Sequence, residues 1–202
     1  MFRCSKYNIF SGNIVAAFAL LLMVAGCDRL AVEDTLTEDY SLTNQLGEEV
    51  SLPDDYAGKV LIVGYVYTNC PDICPMITYN MRDLQREFPG EDNFHLVSIS
   101  FDPQRDTPEV LHSYANSYNI DQSNWSMLTG NTEEVNRVLD KLGIARVKTP
   151  SRFTEDNKEV YFIDHTDKVS LIDKKGQVRN HYLGSELDTE TVIEDIKTLL
   201  TE

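Results

Sequence analysis

The stretch "KVLIVGYVYTNCPDICPMITYNMRDLQREF", residues 59–88, decides how the chain is read. Its first ten residues, "KVLIVGYVYT", form an unbroken apolar run rich in β-branched side chains, the pattern of a strand buried on both faces. Residues 75–88, "PMITYNMRDLQREF", then follow the helical period until Pro89-Gly90 stops them. Between the two lies a loop with Cys70 and Cys74, each followed by proline. In open α/β sheets the functional site lies beyond the carboxyl ends of the strands. Cys70 stands in that place.

The same alternation continues outward. Downstream, "FHLVSISFD" (94–102) is a second buried strand. "DTPEVLHSYANSY" (106–118) is a helix with Asp106 or Thr107 as cap and Pro108 in its first turn. "WSMLTG" (125–130) is a third strand, and "NTEEVNRVLDKLG" (131–143) is a helix ended by Gly143. Residues 144–160 read as a polar loop. "KVSLID", the turn "KKGQ" and "VRNHYL" (168–183) make a hairpin, and "TETVIEDIKTLLT" (189–201) closes the chain as a helix. Upstream, "YSLTNQLGEEVSL" (40–52) reads as another hairpin. Strands alternating with helices imply parallel pairing, and the hairpins add antiparallel strands. The order fits an α/β, thioredoxin-like sandwich with a mixed central sheet, an N-terminal hairpin and flanking helices.

The first residues are not part of that domain. "MFRCSKYNIFSGN" carries Arg3 and Lys6 without an acid, and the 13-residue apolar run "IVAAFALLLMVAG" follows. The run is short for a bilayer span and suits a secretory signal. It ends in Val24-Ala25-Gly26-Cys27, which resembles a bacterial lipobox. That resemblance implies a signal peptide over 1–26, lipid on Cys27 and, from Asp28, retention at the inner membrane with the domain facing the periplasm. Residues 27–39, polar and acidic, read as a spacer, and 40–202 as one domain. Of the 18 basic residues only Arg3 and Lys6 precede Cys27, so the remainder carries 16 against 33 acidic residues, a net charge of −17. Such acidity argues against nucleic acid and against electrostatic docking on anionic lipid.

Cysteine arithmetic then isolates one pair. Cys4 leaves with the signal and Cys27 takes the lipid, so Cys70 and Cys74 remain in a compartment where disulfides persist. Residues before proline are pushed out of the α region, and Pro75 suits the start of a helix. Both sulfurs are thus placed in a loop ahead of the helix, with Cys74 at the cap position and its thiolate stabilised by the helix N-terminus. A disulfide, a redox pair and a metal site all remain open. Thiolates prefer Cu(I), zinc or iron–sulfur clusters. Two are too few for a usual cluster, and closed structural zinc needs four ligands. Copper, content with three, suits the set best. The third ligand is then a histidine. His95, His112 and His181 sit within a strand, a helix and a hairpin and read as packing or surface residues. His165, at the entrance to a strand in "YFIDHTDKVSLID", is flanked by Asp164 and Asp167, either able to orient the ring.

"YTNCPDICP", "SISFDPQRDTPEVLHSYA" and "DHTDKVSLIDKKGQ", in this order and spacing, resemble the Sco/SenC family over residues 40–200. The resemblance implies a membrane-tethered copper protein of thioredoxin-like fold that assists cytochrome c oxidase assembly. It matches Cys70, Cys74 and His165 to two thiolate ligands and one imidazole ligand for Cu(I) and Cu(II). Asp72 and Asp164 become candidates for supporting those ligands. The implied partners are cytochrome c oxidase subunit II, with its copper A centre, or another copper chaperone. The alternative is a thiol–disulfide oxidoreductase that reduces the partner's cysteines. The C-x₃-C spacing and the lack of a Trp before Cys70 stand against that alternative.

Overall fold

The computed structural model describes residues 30–157 and 159–202; the signal segment and Cys27 lie outside them. The elements are β1 Asp34–Thr35, β2 Tyr40–Asn44, β3 Glu49–Leu52, β4 Val60–Val66, α1 Ile73–Glu87, β5 Phe94–Ser100, α2 Pro108–Ser117 and β6 Trp125–Thr129. There follow α3 Thr132–Lys141, β7 Arg146–Lys148, β8 Arg152–Phe153, β9 Glu159–Val160, β10 Ile163–His165, β11 Val169–Ile172, β12 Gln177–Tyr182 and α4 Thr189–Thr201.

Eight strands form one mixed sheet in the order β1-β12-β11-β4-β5-β6-β2-β3. β4, β5 and β6 pair in parallel, as their helical crossovers require. β11 runs antiparallel to β4, and β12 antiparallel to β11. The N-terminal hairpin β2–β3 closes the far edge, where β2 pairs with β6 through Thr43 and Asn44. Every residue of β4 is buried, which is why its sequence shows no alternation. Gly64, in the middle of β4, lets α1 approach the sheet: a Cβ there would stand 2.3 Å from Met81 Sδ. Trp125 is fully buried and donates to Ser98 Oγ at 3.0 Å. The helices start on the residues the sequence offers. Thr107 caps α2, Asn131 caps α3 and Asp188 caps α4, each side chain accepting a first-turn N–H.

Three readings change. Residues 28–39 are not a free spacer throughout: β1 pairs with β12, and Leu30 and Leu36 are buried in the core. Residues 144–160 are not a plain loop. β7 pairs with β10, β8 with β9, and together they form an arm that ends at His165. Finally, Asp72 precedes α1 and Cys74 lies inside its first turn. The first four N–H groups of a helix lack intrahelical partners, so Pro75 is tolerated as the third helical residue, two positions later than the sequence places it.

Candidate metal centre

β4 delivers the chain to Tyr67, where a turn with the Cys70 N–H donating to Tyr67 O at 3.2 Å leaves Cys70 half-buried beyond the sheet edge. This turn is held from below by Asp106. Its fully buried carboxylate accepts from the Thr68 N–H at 3.1 Å, Thr68 Oγ1 at 2.6 Å and Ser100 Oγ at 2.6 Å. Burial pushes the Asp106 carboxyl above the ordinary carboxylate range, and those hydrogen bonds oppose the shift. Asp106 was expected only as a possible helix cap. Thr107 takes that place, and Asp106 turns inward to bind the loop that carries Cys70. Nothing in the local sequence distinguishes the two roles.

Cys74 is fully buried in the first turn of α1, and neither cysteine is bridged. The environment divides the pair. The Cys74 thiol beside it, followed by His165 and the backbone N–H groups of Asp72 and Cys74, lowers the Cys70 pKa against the opposing effect of burial. The neighbouring Cys70 thiolate and burial raise that of Cys74. The anion is therefore favoured on Cys70 rather than on Cys74, chiefly by the Cys74 thiol, with the N–H groups at the helix N-terminus contributing less.

His165 arrives from the other side on β10. Its Nε2 stands 3.4 Å from Cys74 Sγ, and its Nδ1 stands 2.9 Å from the carbonyl oxygen of Thr166. A carbonyl can only accept, so Nδ1 carries a proton and the ring turns its Nε2 edge to the sulfurs. The backbone of Thr166 thus orients the ring, not the flanking carboxylates. Asp164 is exposed and lines the cleft beside His165 without a hydrogen bond to the ring, and the Asp167 carboxylate accepts from the Ser185 N–H at 2.9 Å. Asp72 is likewise exposed, and its side chain makes no capping bond. The ring packs on Phe101 at 4.4 Å between centroids and meets Tyr67 edge-on at 6.3 Å.

The arm is fastened to the body by Arg105. Its guanidinium pairs with Asp102, donates to Tyr161 O at 3.1 Å and lies 3.6 Å above the Tyr161 ring centroid. Tyr161 returns its hydroxyl proton to Asp102 Oδ1 at 2.9 Å, and the Ile163 N–H donates to Tyr67 Oη at 3.2 Å. Residues 91 positions apart in sequence thus meet: the ligand atoms of Cys70, Cys74 and His165 all lie within 4.8 Å of one another. No other such His/Cys/Asp/Glu group occurs among the described residues. The other three histidines are occupied in packing, His95 on Ser126, His112 on Gln122 and His181 on Ser170. The site opens into a cleft of about 410 Å³ lined by Tyr67, Thr149, Phe162 and Ile163 among others. Two thiol sulfurs and one imidazole, three donors in all, make a set suited to a soft ion.

The SCO1/SenC family model matches residues 29–201. The SCO1 protein homolog of Bacillus subtilis is 31% identical over 193 residues, covering 93% of this chain and 96% of that protein. The crystal structure of a SCO1/SenC family lipoprotein from Bacillus anthracis superposes with a TM-score of 0.69 at 30% identity, covering 84% of this chain and 97% of that one. Bradyrhizobium japonicum ScoI, solved with copper bound, superposes with a TM-score of 0.69 at 27% identity, covering 81% and 98%. The match runs through the sheet, the cysteine loop and the histidine arm, and the chain belongs to the SCO1/SenC family.

Proposed function

We propose that the protein is a copper metallochaperone. It binds one copper ion, Cu(I) or Cu(II), through Cys70, Cys74 and His165, and serves assembly of the copper A centre of cytochrome c oxidase. The convergence of the three donor atoms within 4.8 Å carries this reading, supported by the copper-bound ScoI relative. Three ligands satisfy Cu(I) and leave room for an incoming thiolate, so the ion passes to a partner by stepwise ligand exchange. The partner is subunit II of the oxidase or another copper chaperone. The protein is held by lipid on Cys27 at the outer face of the inner membrane; the lipobox-like sequence and the lipoprotein relative support the lipid anchor, and Asp28 the choice of membrane. No helix among the described residues is long and apolar enough to cross a membrane.

The division of the cysteine pair favours a second, compatible activity. A half-buried Cys70 thiolate backed by a fully buried Cys74 thiol is the arrangement of a dithiol reductant. Cys70 attacks a partner disulfide and releases one partner thiolate. Cys74 then attacks the mixed disulfide, and His165 Nε2 takes its proton. Two electrons pass to the partner, which leaves with two thiols, and this protein is left with one disulfide.

The deciding experiment is an anaerobic titration of the reduced protein with Cu(I) against a competing chelator, run beside Cys70→Ser, Cys74→Ser and His165→Ala. Chaperone action predicts one tight site weakened by all three. Weak copper binding by the wild type, with intact disulfide exchange on a copper A peptide, would replace it by the reductant.

A further inference from the structure

The strand next to the anchor has a consequence for where the metal site stands. The chain from Leu30 to Leu36 is integrated into the domain. The Glu33 N–H donates to Val178 O at 2.8 Å and the Leu36 N–H to Gly176 O at 3.0 Å. Lys141 Nζ reaches Asp34 Oδ1 at 2.7 Å, and both leucines are buried. Arg179, itself buried, gathers this segment and the other end of the chain. Its Nε donates to the Leu30 carbonyl, and its Nη1 donates to Asp173 Oδ2 at 2.9 Å and to Glu202 Oε2 at 2.7 Å. Its Nη2 donates to Glu202 Oε1 at 3.2 Å. Severing this cluster would strand a buried cation, so the segment does not peel away easily.

Only three Cα-to-Cα steps separate Cys27 from Leu30, a reach of about 11 Å at most. A free spacer through residue 39 would reach about 43 Å. We propose that the β1 edge of the sheet, with Glu202 and the exposed Val32 beside it, is a membrane-facing surface whose occupant is the lipid bilayer. The reading rests on lipidation of Cys27. The occupant follows from the length of chain beyond the described residues and where that chain ends, since a lipid embedded this close leaves no space for a protein layer beneath the edge. β4, which leads to Cys70, is three strand spacings in from β1, about 14 Å, so the cleft is carried low over the membrane at a defined offset. The partner it suits is one whose receiving site is itself held near the bilayer surface.

The test uses the full lipidated chain in vesicles of phosphatidylethanolamine and phosphatidylglycerol that carry a headgroup energy-transfer acceptor. A Cys70→Ser, Cys74→Ser background frees two labelling positions. Thr201→Cys lies one residue from the Arg179 cluster, and Glu49→Cys lies on β3 at the opposite edge, up to about 34 Å away. Transfer from position 201 is expected to be about twofold or more that from position 49, given that separation. Inserting twelve Gly/Ser residues between Arg29 and Leu30 should erase the difference. Equal transfer from both positions in the uninserted chain, or a difference that survives the insertion, would overturn the orientation. Absence of lipid on Cys27 by mass spectrometry before reconstitution would overturn the anchor, and the orientation with it.

Discussion

Asp106 offers the sharpest test of how the site is built. Its carboxylate accepts three hydrogen bonds, from the Thr68 N–H, Thr68 Oγ1 and Ser100 Oγ, in a place water does not reach. Replacing it with Ala removes the acceptor for all three. The two hydroxyls can rotate toward other partners, whereas the backbone N–H of Thr68 cannot. An unsatisfied buried donor costs about 1–3 kcal/mol, so Asp106→Ala is expected to lose about 3–5 kcal/mol when the whole cluster is disturbed. Asp106→Asn should lose much less. Its Oδ1 can accept the two bonds that converge on Oδ2, and its amide can donate to a reversed Thr68 hydroxyl. Burial already penalises the charge on this carboxyl, so the injury lies mainly in the lost acceptor. Because Thr68 precedes Cys70 by two residues, the Ala variant should also bind Cu(I) about 10- to 100-fold more weakly, as happens when support for a metal ligand is removed. Urea unfolding gives the first quantity and chelator competition the second. An Ala variant within about 1 kcal/mol of wild type, below the range for a single lost partner, with unchanged copper affinity, would refute the reasoning.

Other outcomes follow from the same structure. His95 is half-buried and close to Lys59, and partial burial with that charge lowers its pKa to about 4. The folded protein therefore binds fewer protons than the unfolded chain between pH 6.5 and 4, and stability falls as pH drops through that window, by about 3 kcal/mol in all. His95→Gln should flatten this part of the profile in urea melts taken from pH 7 to 4. Gly64→Ala drives a Cβ against Met81 and is expected to destabilise by about 1–3 kcal/mol. Adding Met81→Ala should give a double variant less destabilised than the sum of the singles, measured by the same melts. Arg105→Lys keeps the charge but loses the planar stack on Tyr161 and the hydrogen-bond fork. It should loosen the arm that carries His165, seen as faster amide exchange over residues 145–166 with the core strands unaffected.

Much of this was legible in the chain, and the exceptions have physical causes. β4, β5 and β6 announce themselves because strands buried on both faces are apolar throughout. The crossover helices show through their end signals, as Thr107 and Pro108 do for α2 and Gly143 does for α3. The three proposed copper ligands are found because cysteine and histidine have few other reasons to occur in such a setting, and the resemblance of the surrounding motifs ties His165 to the pair. What escapes is non-local or carried by backbone. Residues 30–36 are polar enough to pass for a spacer, since what holds them is a ladder with β12 and the side chain of Arg179 about 150 positions away. The arm over 146–165 is built from strands of two or three residues, too short for any period to register. The imidazole is oriented by the Thr166 carbonyl, which every residue type possesses, and not by Asp164 or Asp167. The proline after Cys74 places the helix start two residues late, because a first-turn proline is compatible with more than one register.

The central claim is that two sulfurs and one imidazole nitrogen form a single copper site. X-ray absorption at the copper edge of the Cu(I)-loaded protein tests it most directly. The structure predicts a three-coordinate ion with two sulfur neighbours and one nitrogen neighbour. In His165→Ala the nitrogen contribution should vanish while both sulfurs stay. A wild-type spectrum with no imidazole scattering, or one left unchanged by His165→Ala, would contradict the account.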